Sequence, residues 1–190
     1  MHASARTLAV AMAPDGIIAK GLLALGGSLL IALSAQVAVP LPFSPVPVTG
    51  QTFAVLLVGA ALGARLGAAT VLLYLAQGAA GLPVFAPGAT MGIARIVGPT
   101  GGYLAGFVVA AFVVGVLAER GWDRRVATAA AAMVVGEVVI YVIALPWLSR
   151  FVPAERLFDA GLWPFVPGDL YKVALAALAL PIAWRFARVS

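Results

Sequence analysis

Apolar residues follow one another in long runs along this chain, and the runs break only at isolated charges or at clusters of proline and glycine. The breaks leave six segments, which predict helices over residues 17–39, 52–64, 67–80, 102–118, 126–148 and 170–185. A helix needs about 20 apolar residues to cross a bilayer. The expected fold is therefore an all-α integral membrane protein, six transmembrane helices forming a single membrane domain over 1–190. Pro40 and Pro42 stop the first helix, because proline removes a backbone donor and clashes with the preceding turn. The second and third segments are short, with little more than Arg65, Gly63 and Gly67 between them. Lys20 ahead of an apolar run is reminiscent of a signal peptide. The run exceeds the usual core of roughly 7–15 residues and five further segments follow, so it is expected to be a retained anchor.

Composition supports the pattern. Of the 190 residues 63% are apolar and only 10% charged, with a mean hydropathy of +1.08, whereas a soluble domain carries about 25% charged residues. Disorder and a coiled coil both need far more charge and are excluded. The net charge of +5 would suggest nucleic acid in a soluble protein, but here it fits membrane topology and no nucleic-acid partner is expected. With no cysteine there is no disulfide, thiolate metal site or cysteine nucleophile, and with His2 as the one histidine there is no histidine triad or histidine metal cage. Placing both termini in the cytoplasm puts Arg6, Lys20, Arg65, Arg120, Arg124, Arg125, Arg185 and Arg188 inside. Arg95, Arg150, Arg156 and Lys172 are then outside, an excess that satisfies the positive-inside rule. Fusing the second and third helices would put Arg120 to Arg125 outside, which the rule disfavours.

On this topology the longer connections, 40–51, 81–101 and 149–168, lie on the outer face, where loops carried by a rigid scaffold present binding residues. The first carries four alternating prolines, Pro40, Pro42, Pro45 and Pro47, and is either a lid over the bundle or a stiff connector. The second holds Gly81-Leu82-Pro83-Val84-Phe85-Ala86-Pro87-Gly88 and then Gly98-Pro99-Thr100-Gly101-Gly102-Tyr103. Its glycines allow close backbone approach to a ligand or tight helix packing, and Thr100-Gly101-Gly102 opens a helix whose first amides favour an anion. No lysine follows at P-loop spacing, so this is not a nucleotide-binding loop. On the first helix Ala24, Ser28 and Ala32 share one face, which suits either docking of a partner or packing within the bundle.

Charged residues outside the cytoplasmic rim carry the chemistry, because a charge in a membrane segment is expensive and functional by default. Asp169 and Lys172 are one turn apart at the start of the last helix, either as ligand-binding groups or as a mutual ion pair, with Asp169 alternatively a helix cap. Arg95 sits in an apolar, glycine-rich stretch, as a site residue or as a snorkelling one, and Glu137 lies inside the fifth helix without an evident sequence partner. Two basic groups, a carboxylate and an apolar surround suit a small, mainly apolar acid with a hydrogen-bonding head. No nucleophile, metal cluster or general-base constellation accompanies them, so binding or transport is expected and not catalysis.

The run Pro40-Leu41-Pro42-Phe43-Ser44-Pro45-Val46-Pro47-Val48-Thr49-Gly50-Gln51-Thr52-Phe53, the stretch 78–86 and Gly98-Pro99-Thr100-Gly101-Gly102-Tyr103 together resemble the BioY family, the biotin-binding S-components of energy-coupling factor (ECF) transporters. Asp169-Leu170-Tyr171-Lys172 is similar to that family's acidic-x-x-basic pair. The resemblance implies a multi-pass protein of the bacterial cytoplasmic membrane that captures biotin from outside, with biotin as transported ligand and no cofactor. It implies Asp169 on the ureido N–H groups and Arg95 with Lys172 on the carboxylate. Gln77 and Tyr103 are further polar contacts, and Val84, Phe85, Gly101 and Gly102 surround the bicyclic ring. It further implies docking through Ala24, Ser28 and Ala32 on a transmembrane coupling protein driven by two ABC ATPases, in contact with membrane lipid and compatible with a homo-oligomer. An S-component for another vitamin, and an intramembrane enzyme using Glu137 and Asp169 as a carboxylate pair, are the alternatives.

Overall fold

The computed structural model of the protein describes residues 7–9, 16–88 and 90–187; His2, Arg6 and Arg188 lie outside the described residues. The architecture is helical. Helix α1 (Ile17–Gln36) is followed by a hairpin of two-residue strands, β1 (Ala38–Val39) and β2 (Val48–Thr49), and then by α2 (Gln51–Leu62) and α3 (Ala64–Ala79). A short α4 (Ile93–Val97) precedes α5 (Gly101–Glu119), and a 3-10 turn (Trp122–Arg124) leads into α6 (Val126–Leu148). A second such turn (Ala154–Arg156), the short α7 (Leu157–Gly161) and α8 (Val166–Ala187) complete the described chain. Four stretches, Ile17–Gln36, Gly101–Glu119, Val126–Leu148 and Ala154–Ala187, are long and apolar enough to cross a membrane by length and composition.

The first helix differs from the sequence expectation at its C-terminal end and the last at its N-terminal end, and proline explains both. The first stops at Gln36 and not at Val39, because Val39 precedes Pro40 and a pre-proline residue is held extended. Ala38 and Val39 pair instead with Thr49 and Val48, and the amide of Gly50 donates to the Val37 carbonyl at 3.0 Å. The last begins at Val166 and not at Leu170, since Pro167 falls in the first turn, where no intrahelical donor is lost. Asp169 therefore lies within the first turn of α8 and is not its cap.

Helix α2 has 12 residues and reaches only about 18 Å, well short of a bilayer core of about 30 Å. The segment ahead of it must therefore descend among the helices. Irregular backbone at that depth is tolerated only where it is buried in protein or lines a cavity, and here it lines one. Gly63, at φ 84°, turns α2 into α3, and the Glu119 carboxylate accepts the Ala64 amide at 2.9 Å, which satisfies an orphan donor at the start of α3. Glycines set the close crossings below the cavity: a Cβ on Gly59 would stand 2.6 Å from the Ala111 carbonyl oxygen, and one on Gly115 would overlap the Ala64 backbone. Small residues of this kind let membrane helices touch along their backbones.

At the end remote from the cavity, the indole of Trp184 donates to the buried Asp123 carboxylate at 2.5 Å and the Arg124 guanidinium stacks 4.7 Å over the same ring. Burial pushes the Asp123 carboxyl above its ordinary value, opposed by the Trp184 bond, a bond to its own backbone and Arg124. Along α1, Leu22, Leu25, Leu29 and Leu33 face outward while Ser28, Ile31, Ala32 and Ala35 are buried, and Gly27 approaches Thr70 of α3 and Val58 of α2. Ser28 and Ala32 are thus taken up by packing inside the bundle, with Ala24 half-buried beside them.

Candidate functional site

Between the hairpin loop, the 85–100 segment and helices α2, α5, α6 and α8, the fold forms a partly open cavity. Val46, Pro47 and Thr49 of the proline-rich loop form part of its wall, and the Ser44 hydroxyl donates to the Ala160 carbonyl at 2.6 Å, which fastens the loop across to α7. The loop therefore covers the bundle as well as connecting two helices.

A polar cluster occupies one region of the wall. The Lys172 ammonium donates to Asp169 Oδ1 at 3.0 Å and to the Thr52 hydroxyl at 2.9 Å, while the Tyr141 hydroxyl donates to Asp169 Oδ2. Lys172–Asp169 is the ion pair found among the described residues. Arg95 stands apart from it: its guanidinium donates to the Thr90 hydroxyl at 3.3 Å, packs over Gly88 and has no carboxylate partner among the described residues. Only 9% of Arg95 is exposed. Burial lowers its pKa, opposed by the field of Tyr74, but an arginine stays charged in any such setting. A buried cation without an anion beside it is an open valence for a carboxylate.

Much of the remaining wall is apolar, built from Phe85, Leu104, Phe107, Ile140 and Phe165 together with the ring of Tyr103. Tyr103 packs 6.0 Å from Phe165 and edge-on to Tyr141 at 6.4 Å. Phe85 is wedged against Gly78, where any side chain would overlap its ring, and its own carbonyl accepts from Gln36 at 3.3 Å, so α1 and α3 jointly fix it.

Of the residues expected from sequence, Arg95, Asp169, Lys172, Tyr103 and Phe85 come together on this cavity. The Tyr103 hydroxyl gives its proton to the Gly161 carbonyl, at 2.5 Å, which leaves its ring face and the acceptor side of its oxygen for a ligand. Gln77, Val84, Gly101 and Gly102 do not line the cavity. The two glycines serve packing: a side chain on Gly101 would overlap the Ile96 carbonyl, and one on Gly102 would run into Trp147. The amide-bearing side chain at the site is Gln51, which accepts from the Thr49 hydroxyl at 3.1 Å and donates to the Tyr74 hydroxyl at 2.5 Å. Thr49, Thr52, Thr100 and Tyr141 are the other polar wall residues, none of them among the expected ligand contacts. Tyr141 falls one turn after Glu137, so the helical spacing carried a signal for it.

The family model described as "BioY family" matches residues 6–189. The chain is 42% identical to a probable biotin transporter BioY of Pyrococcus horikoshii over 78% of its own length and 86% of that protein. It is 38% identical to the biotin transporter BioY of Rhizobium etli, covering 83% and 88% respectively. Its fold matches the crystal structure of an S-component for biotin from an ECF-type ABC transporter with a TM-score of 0.75 at 23% identity, over 88% of this chain and 92% of that one.

Proposed function

Since this chain belongs to the BioY family, a family of multi-pass membrane transporters and not of enzymes, we propose that it captures biotin in this cavity as the substrate-binding component of an ECF-type uptake system. The observation that carries the reading is a cavity wall that holds a donor–acceptor pair, a largely apolar and aromatic surface and an Arg95 without a carboxylate partner among the described residues. Biotin has the matching order: a ureido head with adjacent N–H and C=O groups, an apolar bicycle and alkyl chain, and a carboxylate at the far end. Asp169 and Lys172, 3.0 Å apart, present an acceptor beside a donor, which is the complement of a ureido edge. This assigns Asp169 to the ureido N–H groups, moves Lys172 from the carboxylate to the ureido oxygen, and leaves the carboxylate to Arg95.

The membrane arrangement belongs to the same reading. With α2 and α3 as a short pair that together enter and leave, the helices make six crossings, both termini are cytoplasmic and the cavity opens outward, in a bacterial cytoplasmic membrane. Delivery of the ligand is the work of a transmembrane coupling protein and two ABC ATPases. Saturable binding of labelled biotin to the purified chain, displaced by unlabelled biotin and not by thiamine or riboflavin, is the expected result. Displacement by either of the other vitamins, or no saturable binding, overturns the assignment.

A further inference from the structure

Glu137 has no part in the wall described above, yet it is the most exposed to consequence of all the charged residues. It sits in the middle of α6, 6% exposed, and neither carboxyl oxygen has a hydrogen-bond partner. Asp169 and Lys172 of α8 are the charged groups that face it, the Thr52 hydroxyl of α2 lies near without completing a hydrogen bond, and Tyr141 stands one turn along its own helix. Around the neighbouring Gly136, α2 and α5 present Leu56 and Val114. Two of the three Lys172 N–H donors go to Asp169 and Thr52, and none reaches Glu137. An ionised Glu137 is therefore stabilised only through space, by the positive charge of the site as a whole.

That charge is set by the wall. Arg95 and Lys172 against Asp169 leave the cavity with one excess positive charge, which an ionised Glu137 behind it cancels. A monoanionic ligand cancels the same charge from the front. Both anions together would leave an uncompensated negative charge at membrane depth, which is costly, and the group that can shed its charge without leaving the site is the carboxylate with no hydrogen bonds to lose. We propose that Glu137 is a proton-binding site coupled to the ligand site: when the anionic ligand enters, Glu137 takes up one proton from solution, so that the occupied chain holds a charge-neutral site.

This inference rests on the cavity taking biotin as a carboxylate, and the test separates the two. Calorimetric titration of the purified full chain with biotin, at about pH 9, where Glu137 of the empty chain is ionised, in two buffers of different ionisation enthalpy, should show a buffer-dependent heat that corresponds to uptake approaching one proton per biotin. Affinity should correspondingly fall as pH rises, by up to about tenfold per unit. Glu137→Gln, which fixes the neutral form, should bind biotin with the buffer and pH dependence abolished. If that variant does not fold, biotinamide supplies the second arm: an uncharged ligand should bind the wild-type chain without proton uptake. Biotin binding with a buffer-independent heat, or uptake that persists in Glu137→Gln or with biotinamide, overturns the coupling and leaves the biotin reading standing. No saturable biotin binding overturns both.

Discussion

Lys172 and Asp169 lie one helical turn apart on α8 with the ammonium 3.0 Å from the carboxylate, and the second carboxylate oxygen is held by Tyr141. Each partner therefore fixes the other for a ligand. Asp169→Asn keeps the shape but turns part of the acceptor into a donor that faces Lys172. Biotin affinity should fall by roughly 1–3 kcal/mol, the cost of breaking buried hydrogen bonds to a charged group. Equilibrium binding of labelled biotin measures it, and unchanged affinity in a folded variant would remove Asp169 from the site.

Arg95 makes a different kind of contribution, because its open valence matches only the charged end of the ligand. Arg95→Ala should weaken biotin binding by about 1.5–3 kcal/mol, as for a hydrogen bond between charged groups, while biotinamide, which lacks the charge, should lose far less. Arg95→Lys should restore only part of the affinity, since an ammonium cannot grip a carboxylate with two parallel donors. Equal losses for biotin and its amide would mean that Arg95 acts on the fold and not on the carboxylate.

The membrane character, the approximate helices and the three decisive charges were legible because each leaves a one-dimensional trace: long apolar runs, and charges with no topological reason to be where they are. Gln51 and Thr52 were not legible, and Tyr141 was so only through its spacing from Glu137. Gln51 is polar at the end of a proline-rich loop, which in sequence is ordinary loop chemistry. Its role appears only when the shortness of α2 draws it into the bundle and against Tyr74. Gly101 and Gly102 failed in the opposite direction. A glycine run before a helix has the same spelling whether it makes room for a ligand or for Ile96 and Trp147. The small-residue face of α1 is similarly ambiguous: Ser28 and Ala32 are buried in the bundle while Ala24 is half-buried beside them.

Asp123 gives the end of the bundle remote from the cavity a pH dependence whose sign can be stated. Its carboxyl titrates above its unfolded value because burial outweighs the Trp184 bond and Arg124. The folded chain then holds more proton than the unfolded chain between the two values, so stability rises as pH falls through the folded value and levels off below the unfolded one. Asp123→Asn keeps an acceptor for the Trp184 indole and removes the ionisation. The Tm of the variant should exceed that of the wild type near pH 7, and the difference should shrink as pH is lowered towards about 4. Thermal unfolding of both in the same detergent reads the difference directly; a gap that widens on acidification would reverse the argument.

The absence of cysteine makes the topology directly testable. Glu119 holding the Ala64 amide puts the α2–α3 turn at the same end of the bundle as the α5–α6 connection. Ser44 bonded to Ala160 puts the proline-rich loop at the end that carries α7. Phe43 and Arg120 are exposed at these opposite ends. With α2 and α3 as separate crossings, a membrane-impermeant thiol reagent applied to intact cells should label Phe43→Cys and reach Arg120→Cys only after permeabilisation. If α2 and α3 instead formed one crossing, both positions would lie outside and both would label in intact cells. Labelling of Arg120→Cys alone would mean that the basic cluster Arg120 to Arg125 faces outward, against the charge asymmetry that orients membrane helices, and would place the cavity mouth on the cytoplasmic side.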